Sequence, residues 1–131
     1  MSEEIEIAKL WFQKAKNDLL NAEKVPYDTV CFHCQQAAEK LLKAYLVVNK
    51  KTYPITHDLF FILENILPLN NTAEQLRDAL AILMPYAVEI RYPDDFFMPN
   101  EQDAKEARAA VGEVLKWIEN VMVEIFRDLQ N

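Results

Sequence analysis

Only a handful of side chains in this sequence combine reactive chemistry with a spacing that could use it. Cys31 and Cys34 form a Cys-x-x-Cys, the spacing of a redox dithiol or of half a zinc site. The first use needs a βαβ setting and the second needs two further ligands. No such setting is visible, and at helical spacing His33 falls away from the side the two sulfurs share. Buried, reduced thiols are the reading taken, with no metal and no cofactor assigned. The remaining candidates are cationic. Arg91 offers a planar, permanently charged fork suited to phosphate. Lys40 and Lys43 carry ammonium heads one helical turn apart, and His57, read as a helix start, lies where backbone N–H groups attract negative charge. Each has a plainer alternative: the lysines solvate an exposed face, with Glu39 pairing Lys43, while Arg91 holds its own loop against Asp94 and Asp95.

Helices must position these groups. From Val30 to Val48 the apolar residues Val30, Cys34, Ala37, Ala38, Leu41, Tyr45 and Val48 gather on one side of a helix, with Gln36, Glu39, Lys40 and Lys43 on the other. A first helix is predicted from about Ile5 to Lys24, with Ala8, Trp11, Ala15, Leu19 and Ala22 inward, stopping before Pro26. Asp28 is the expected cap of the second helix, which runs to about Asn49. Lys50 to Pro54 reads as a loop, and Thr56 as the cap of a short helix from His57 to Leu67. Thr72-Ala73-Glu74-Gln75 has the form of a capping box opening a fourth helix to about Met84, with helical structure extending to about Arg91.

Pro93 and Pro99 make the next segment a loop, after which Asn100 and Asp103 open the last helix. Its inner positions are Ala104, Ala107, Val111, Val114, Ile118, Val121, Ile125 and Leu129. Three long helices and two short ones define an all-α, up-and-down antiparallel bundle of four to five helices in a single domain, residues 1–131. Phe96 and Phe97 either tuck under the bundle end or meet a second subunit or a ligand. Phe32, near the polar side of its helix, favours the interface.

Composition removes several classes of function. The 131 residues contain one glycine, Gly112, so phosphate-cradling loops and dinucleotide fingerprints cannot be built. A net charge of −7 argues against a duplex-DNA coat, because an anionic protein repels phosphate backbones at long range. The start Met1-Ser2-Glu3-Glu4 lacks the charged and apolar regions of a signal peptide, and Pro85 interrupts the longest apolar run, Ala79 to Val88. A cytoplasmic protein without a membrane span is expected.

The segment Cys31 to Leu46 with its Gln-Gln-Ala-Ala-Glu-Lys pattern, together with His57-Asp58-Leu59 and Arg91-Tyr92-Pro93-Asp94 before a long final helix, resembles the HEPN domain family. The resemblance covers essentially the whole chain. It implies a dimerising bundle, a minimal nucleotidyltransferase as partner, and roles in nucleotide or RNA binding and in toxin–antitoxin pairs. Ribonucleases of this family carry an arginine and, a few residues on, a histidine that assists proton transfer at the scissile phosphate. Arg91 matches the arginine, but Phe96, Phe97 and Met98 occupy the positions where the histidine would fall.

The expectation is therefore a non-catalytic or weakly active HEPN module and homodimer, binding a nucleotide or RNA phosphate, a partner nucleotidyltransferase, or both. Its candidate phosphate site is Arg91, Lys40, Lys43, His57, Tyr92 and Asp94, and its candidate interface Phe32, Phe96 and Phe97. Three alternatives stand beside it: a toxin ribonuclease with a degenerate motif, a dimeric adaptor without ligand, and an HD-type metal phosphohydrolase. The last rests on the adjacent His57-Asp58, with His33 and Asp103 as the further ligands.

Overall fold

The computed structural model describes residues 2–21, 27–87, 99–123 and 127. Three long helices, α1 (Glu3–Asn21), α2 (Tyr27–Val48) and α5 (Glu101–Val121), and two short ones, α3 (Leu59–Ile66) and α4 (Arg77–Leu83), make an all-helical bundle with no strand among the described residues. No described helix is long and apolar enough to cross a membrane.

α2 is the axis of the fold. It packs against α1, α3, α4 and α5, so its polar stripe does not face outward as the periodicity suggests. Gln35, Glu39 and Lys43 are as buried as the apolar residues around them. α1 covers that stripe in antiparallel fashion: Asp18 meets His33 and Lys40, while Trp11, two turns earlier, meets Lys43. The inner face of α1 is Ala8, Phe12, Ala15 and Asp18, with Trp11 and Leu19 only partly buried. The expected stripe was thus rotated slightly toward Trp11. It assigned an aromatic of the right size to the wrong one of two neighbours and omitted an aspartate whose partners lie on another helix. Ala22 lies outside the described residues.

The connection from α2 begins with Lys50 in the left-handed region, φ 60°, which turns the chain sharply. It climbs back along α2, bringing the His57 carbonyl to Gln35. α3 therefore begins at mid-height on α2. Its cap is Asp58, whose carboxylate accepts from the Phe60 and Phe61 N–H groups, and Thr56 instead accepts from the Asp58 N–H. His57 consequently stands before the helix and not in its first turn. Asp28 likewise lies within α2, accepting from the next N–H at 2.9 Å, and is not its cap.

The α3–α4 connection also starts differently from the sequence reading. Asn70 is the capping residue, accepting from the Thr72 N–H, and Asn71–Leu76 forms a 3₁₀ helix before α4. Thr72 instead accepts the indole N–H of Trp117 at 3.0 Å, tying this turn to α5. A second 3₁₀ turn, Met84–Tyr86, follows α4, with Pro85 at its start where the missing N–H is harmless. The expected continuation to Arg91 lies outside the described residues. At α5 the sequence signal is met in full: Asn100 and Asp103 exchange both capping-box hydrogen bonds at 2.9 Å. Ala104, Ala107, Val111, Val114 and Ile118 point inward as expected, joined by Ala110 and Trp117. Val121 is only half-buried, and Ile125 and Leu129 are outside the described residues.

Candidate functional site

A polar seam runs along α2 beneath α1 and the residue 51–58 connection. It contains two networks of the same design, each a buried carboxylate bridging one histidine and one lysine. In the first, Asp18 of α1 receives His33 Nδ1 at 2.8 Å on one oxygen and Lys40 Nζ on the other. In the second, Glu39 receives His57 Nδ1 at 2.7 Å on Oε1 and Lys43 Nζ at 2.9 Å on Oε2. Asp18 and Glu39 are only 6% and 4% exposed, a burial that charged carboxylates tolerate because each carries an ammonium partner.

Amides and rings complete the seam. Gln35 Nε2 reaches both Glu39 Oε1 at 3.4 Å and the His57 carbonyl at 3.3 Å, and Gln36 donates to Gln35 at 2.7 Å. The Lys43 ammonium lies 5.9 Å from the Trp11 ring centre and 5.6 Å from that of Tyr53. The two rings meet edge to face at 5.0 Å. Lys43 is thus enclosed by a carboxylate and two aromatic faces, a setting that stabilises a desolvated cation. Each of the two carboxylates is matched by one ammonium group.

Of the residues drawn from the sequence as the phosphate site, Lys40, Lys43 and His57 are described, and they fall in two separate networks. Lys40 and Lys43 do not form an open anion cradle, and neither do they solvate an exposed face. Lys43 is 6% exposed, and each lysine is spent on a separate carboxylate. The Glu39–Lys43 pair foreseen as the plainer alternative does form, but inside the fold. His57 joins Lys43 through Glu39, while Lys40 belongs to the other network. A helix N-terminus plays no part at His57, since Asp58 occupies that of α3. Phe32 is half-buried, its ring 5.4 Å from that of His33. Arg91, Tyr92, Asp94, Phe96 and Phe97 lie outside the described residues.

Asp18, Gln35, Trp11 and Tyr53 were missed as site residues. The available signal was Asp18 itself, three residues beyond Ala15 on an otherwise apolar stripe, where a charge implies a buried partner. The HD-type arrangement is not assembled. His33 and His57 engage different carboxylates, and Asp103 is held in the α5 capping box. Among the described residues no group of three or more His, Cys, Asp or Glu could hold a metal ion. Cys31 and Cys34 are buried and form no disulfide. Burial, helped by the neighbouring Cys31, pushes the Cys34 thiol up to about 12 against a smaller opposing effect of Arg108.

Residues 1–121 match the sequence model of the HEPN domain, and the chain belongs to the HEPN family, a helical module of a nucleotide- or RNA-related kind. No curated protein and no solved structure matches it significantly.

Proposed function

We propose that this protein is a non-catalytic or weakly active HEPN module that binds a nucleotide or RNA phosphate through Arg91. On this reading it works as a homodimer with a minimal nucleotidyltransferase as partner, in a toxin–antitoxin-like pair. The observation that carries it is one of sequence within an established family. The arginine stands at position 91, and Phe96, Phe97 and Met98 stand where the family's ribonucleases place their histidine. The described geometry supports it from another side. Of the permanent cations in the expected phosphate site, Lys40 and Lys43 are neutralised internally, and Arg91 is the one that remains as a candidate.

The test pairs two measurements on the wild type and Arg91→Ala. Incubation with RNA leaves the RNA intact in both, and a ribonucleotide at millimolar concentration raises the melting temperature of the wild type alone, as ligand linkage requires. Cleavage that disappears in Arg91→Ala would identify the degenerate ribonuclease instead. An unchanged melting temperature in the wild type would leave an adaptor without ligand.

A further inference from the structure

The chain leaves α2 through a turn that ordinarily calls for glycine. The Lys51 N–H donates back to the Leu46 carbonyl at 2.9 Å and the Lys50 N–H to that of Val47 at 3.0 Å, the paired bonds of a Schellman closure. Its left-handed residue is Lys50, at φ 60°, where a Cβ is disfavoured. The Lys50 ammonium forms no ion pair among the described residues, and neither does that of Lys51. Lys9, Lys40, Lys43 and Lys105 each have a carboxylate within reach.

Both unpaired lysines border a cleft of about 540 Å³ between the first turns of α1 and the start of the α2–α3 connection. Ile7, Val47, Tyr53 and Ile55 line it, with Glu4 on the α1 side. Two of these walls are fixed by their own neighbours. The Tyr53 ring meets Trp11 edge to face at 5.0 Å, and Val47 belongs to the buried core. The cleft is therefore formed before anything enters it, which favours binding. Ile55 is 100% exposed, and Leu10, one turn beyond Ile7 on the same side of α1, is 64% exposed. Such a grouping of apolar side chains marks an interaction surface.

Charge and shape together define the occupant. An apolar floor edged by two free ammonium groups complements an aliphatic side chain flanked by carboxylates. A nucleic-acid phosphate would use the lysines and leave Ile7, Tyr53 and Ile55 bare. The cleft is also broadly open to solvent, so it suits a side chain projecting from a partner better than a small molecule, which needs most of its surface enclosed.

We propose that this cleft docks an acidic, apolar peptide segment of a partner protein. An aliphatic side chain of the segment enters between Ile7, Val47 and Tyr53, Ile55 covers it from the rim, and flanking carboxylates meet Lys50 and Lys51. Glu4 opposes the segment's charge. Lysine at a left-handed position is then explained by binding and not by folding, since strained backbone points to function. None of these residues belongs to the candidate phosphate site, so the proposal is independent of the nucleotide reading.

A phage-displayed library of random peptides, panned on the wild type and depleted on Ile55→Ser, supplies the probe. Recovered sequences are expected to combine aliphatic with acidic residues, and enrichment of basic peptides, or of none, overturns the proposal. Anisotropy of the leading synthetic peptide then reads each contact, with circular dichroism melts confirming the fold of every variant. Lys50→Gly and Lys51→Ser each weaken binding about 2- to 5-fold, Glu4→Gln tightens it by a similar factor, and high salt shrinks all three effects. Ile55→Ser weakens it about 10-fold. Lys50→Gly also relieves the left-handed residue, so its melting temperature should match or exceed that of the wild type while its affinity falls. Affinity unchanged in both lysine variants overturns the proposal, whatever their stability. A wild-type dimer that Ile55→Ser dissociates in sedimentation equilibrium would assign the cleft to a second copy, and displacement of the peptide by single-stranded RNA would assign its lysines to phosphate; either overturns it.

Discussion

Cys34 and Tyr86 both occupy surroundings where a negative charge is poorly solvated. Burial raises the Cys34 thiol from 9.0 to about 12, and burial together with Cys31, Asp103 and Glu106 raises the Tyr86 phenol above its usual range. A raised folded-state value favours the folded protein while the group is protonated in both states. As pH passes the unfolded-state value, only the unfolded chain gains by releasing the proton. Stability from Cys34 is therefore complete below about pH 9 and is lost progressively toward pH 12. The urea midpoint should fall over that window, and Cys34→Ala should make the alkaline fall shallower even though it lowers the midpoint at neutral pH. An identical alkaline slope in the variant would place the sensitivity elsewhere.

The same residue-scale reasoning applies to the Glu39–Lys43 pair. Glu39→Gln leaves a buried ammonium without its counter-charge, at a cost of about 3–5 kcal/mol in urea denaturation. Adding Lys43→Met removes the stranded charge and should recover most of the loss. A double-mutant cycle without such coupling would mean that Lys43 reaches water when its partner is removed.

Helix α3 and helix α5 give the element-scale tests. Asp58→Ala removes an acceptor shared by two N–H groups and should cost about 1 kcal/mol, whereas Thr56→Ala, touching only the Asp58 N–H, should cost less. The reverse order in urea midpoints would restore Thr56 as the cap. Gly112 lies within α5, and a Cβ added there meets nothing within 4 Å, so Gly112→Ala should stabilise by about 0.5–1 kcal/mol. What the sequence made legible follows the same division between local and tertiary. The Asn100–Asp103 box was readable because both members lie within one turn. At α3 the sequence points to Thr56, and only the path of the loop shows that Asp58, two residues on, is the cap. The Asp18–His33–Lys40 network was not readable, because its members meet only when α1 folds back on α2. Periodicity separated the polar side of α2 correctly but could not show that α1 covers it.

At the scale of the whole molecule, the bundle turns inward two of the cations on which phosphate binding was expected to draw, in a chain whose net charge is already −7. Binding that depends chiefly on Arg91 must then be only weakly electrostatic. For single strands the logarithm of affinity falls with the logarithm of salt concentration by about 0.7 per phosphate neutralised, so one or two contacts give a slope between roughly −0.7 and −1.4. Anisotropy titrations of a single-stranded RNA across a potassium chloride series should fall in that range, and Arg91→Ala should make the slope shallower by about 0.7. A slope of roughly −3 or steeper would require four or more phosphate contacts. One source of such contacts is an opening of the Asp18 and Glu39 networks on binding, which would release Lys40 and Lys43 to the ligand. Combining Lys40→Met with Lys43→Met separates the two cases: the slope stays near that of the wild type if the lysines remain inside, and drops by about 1.4 if they come out.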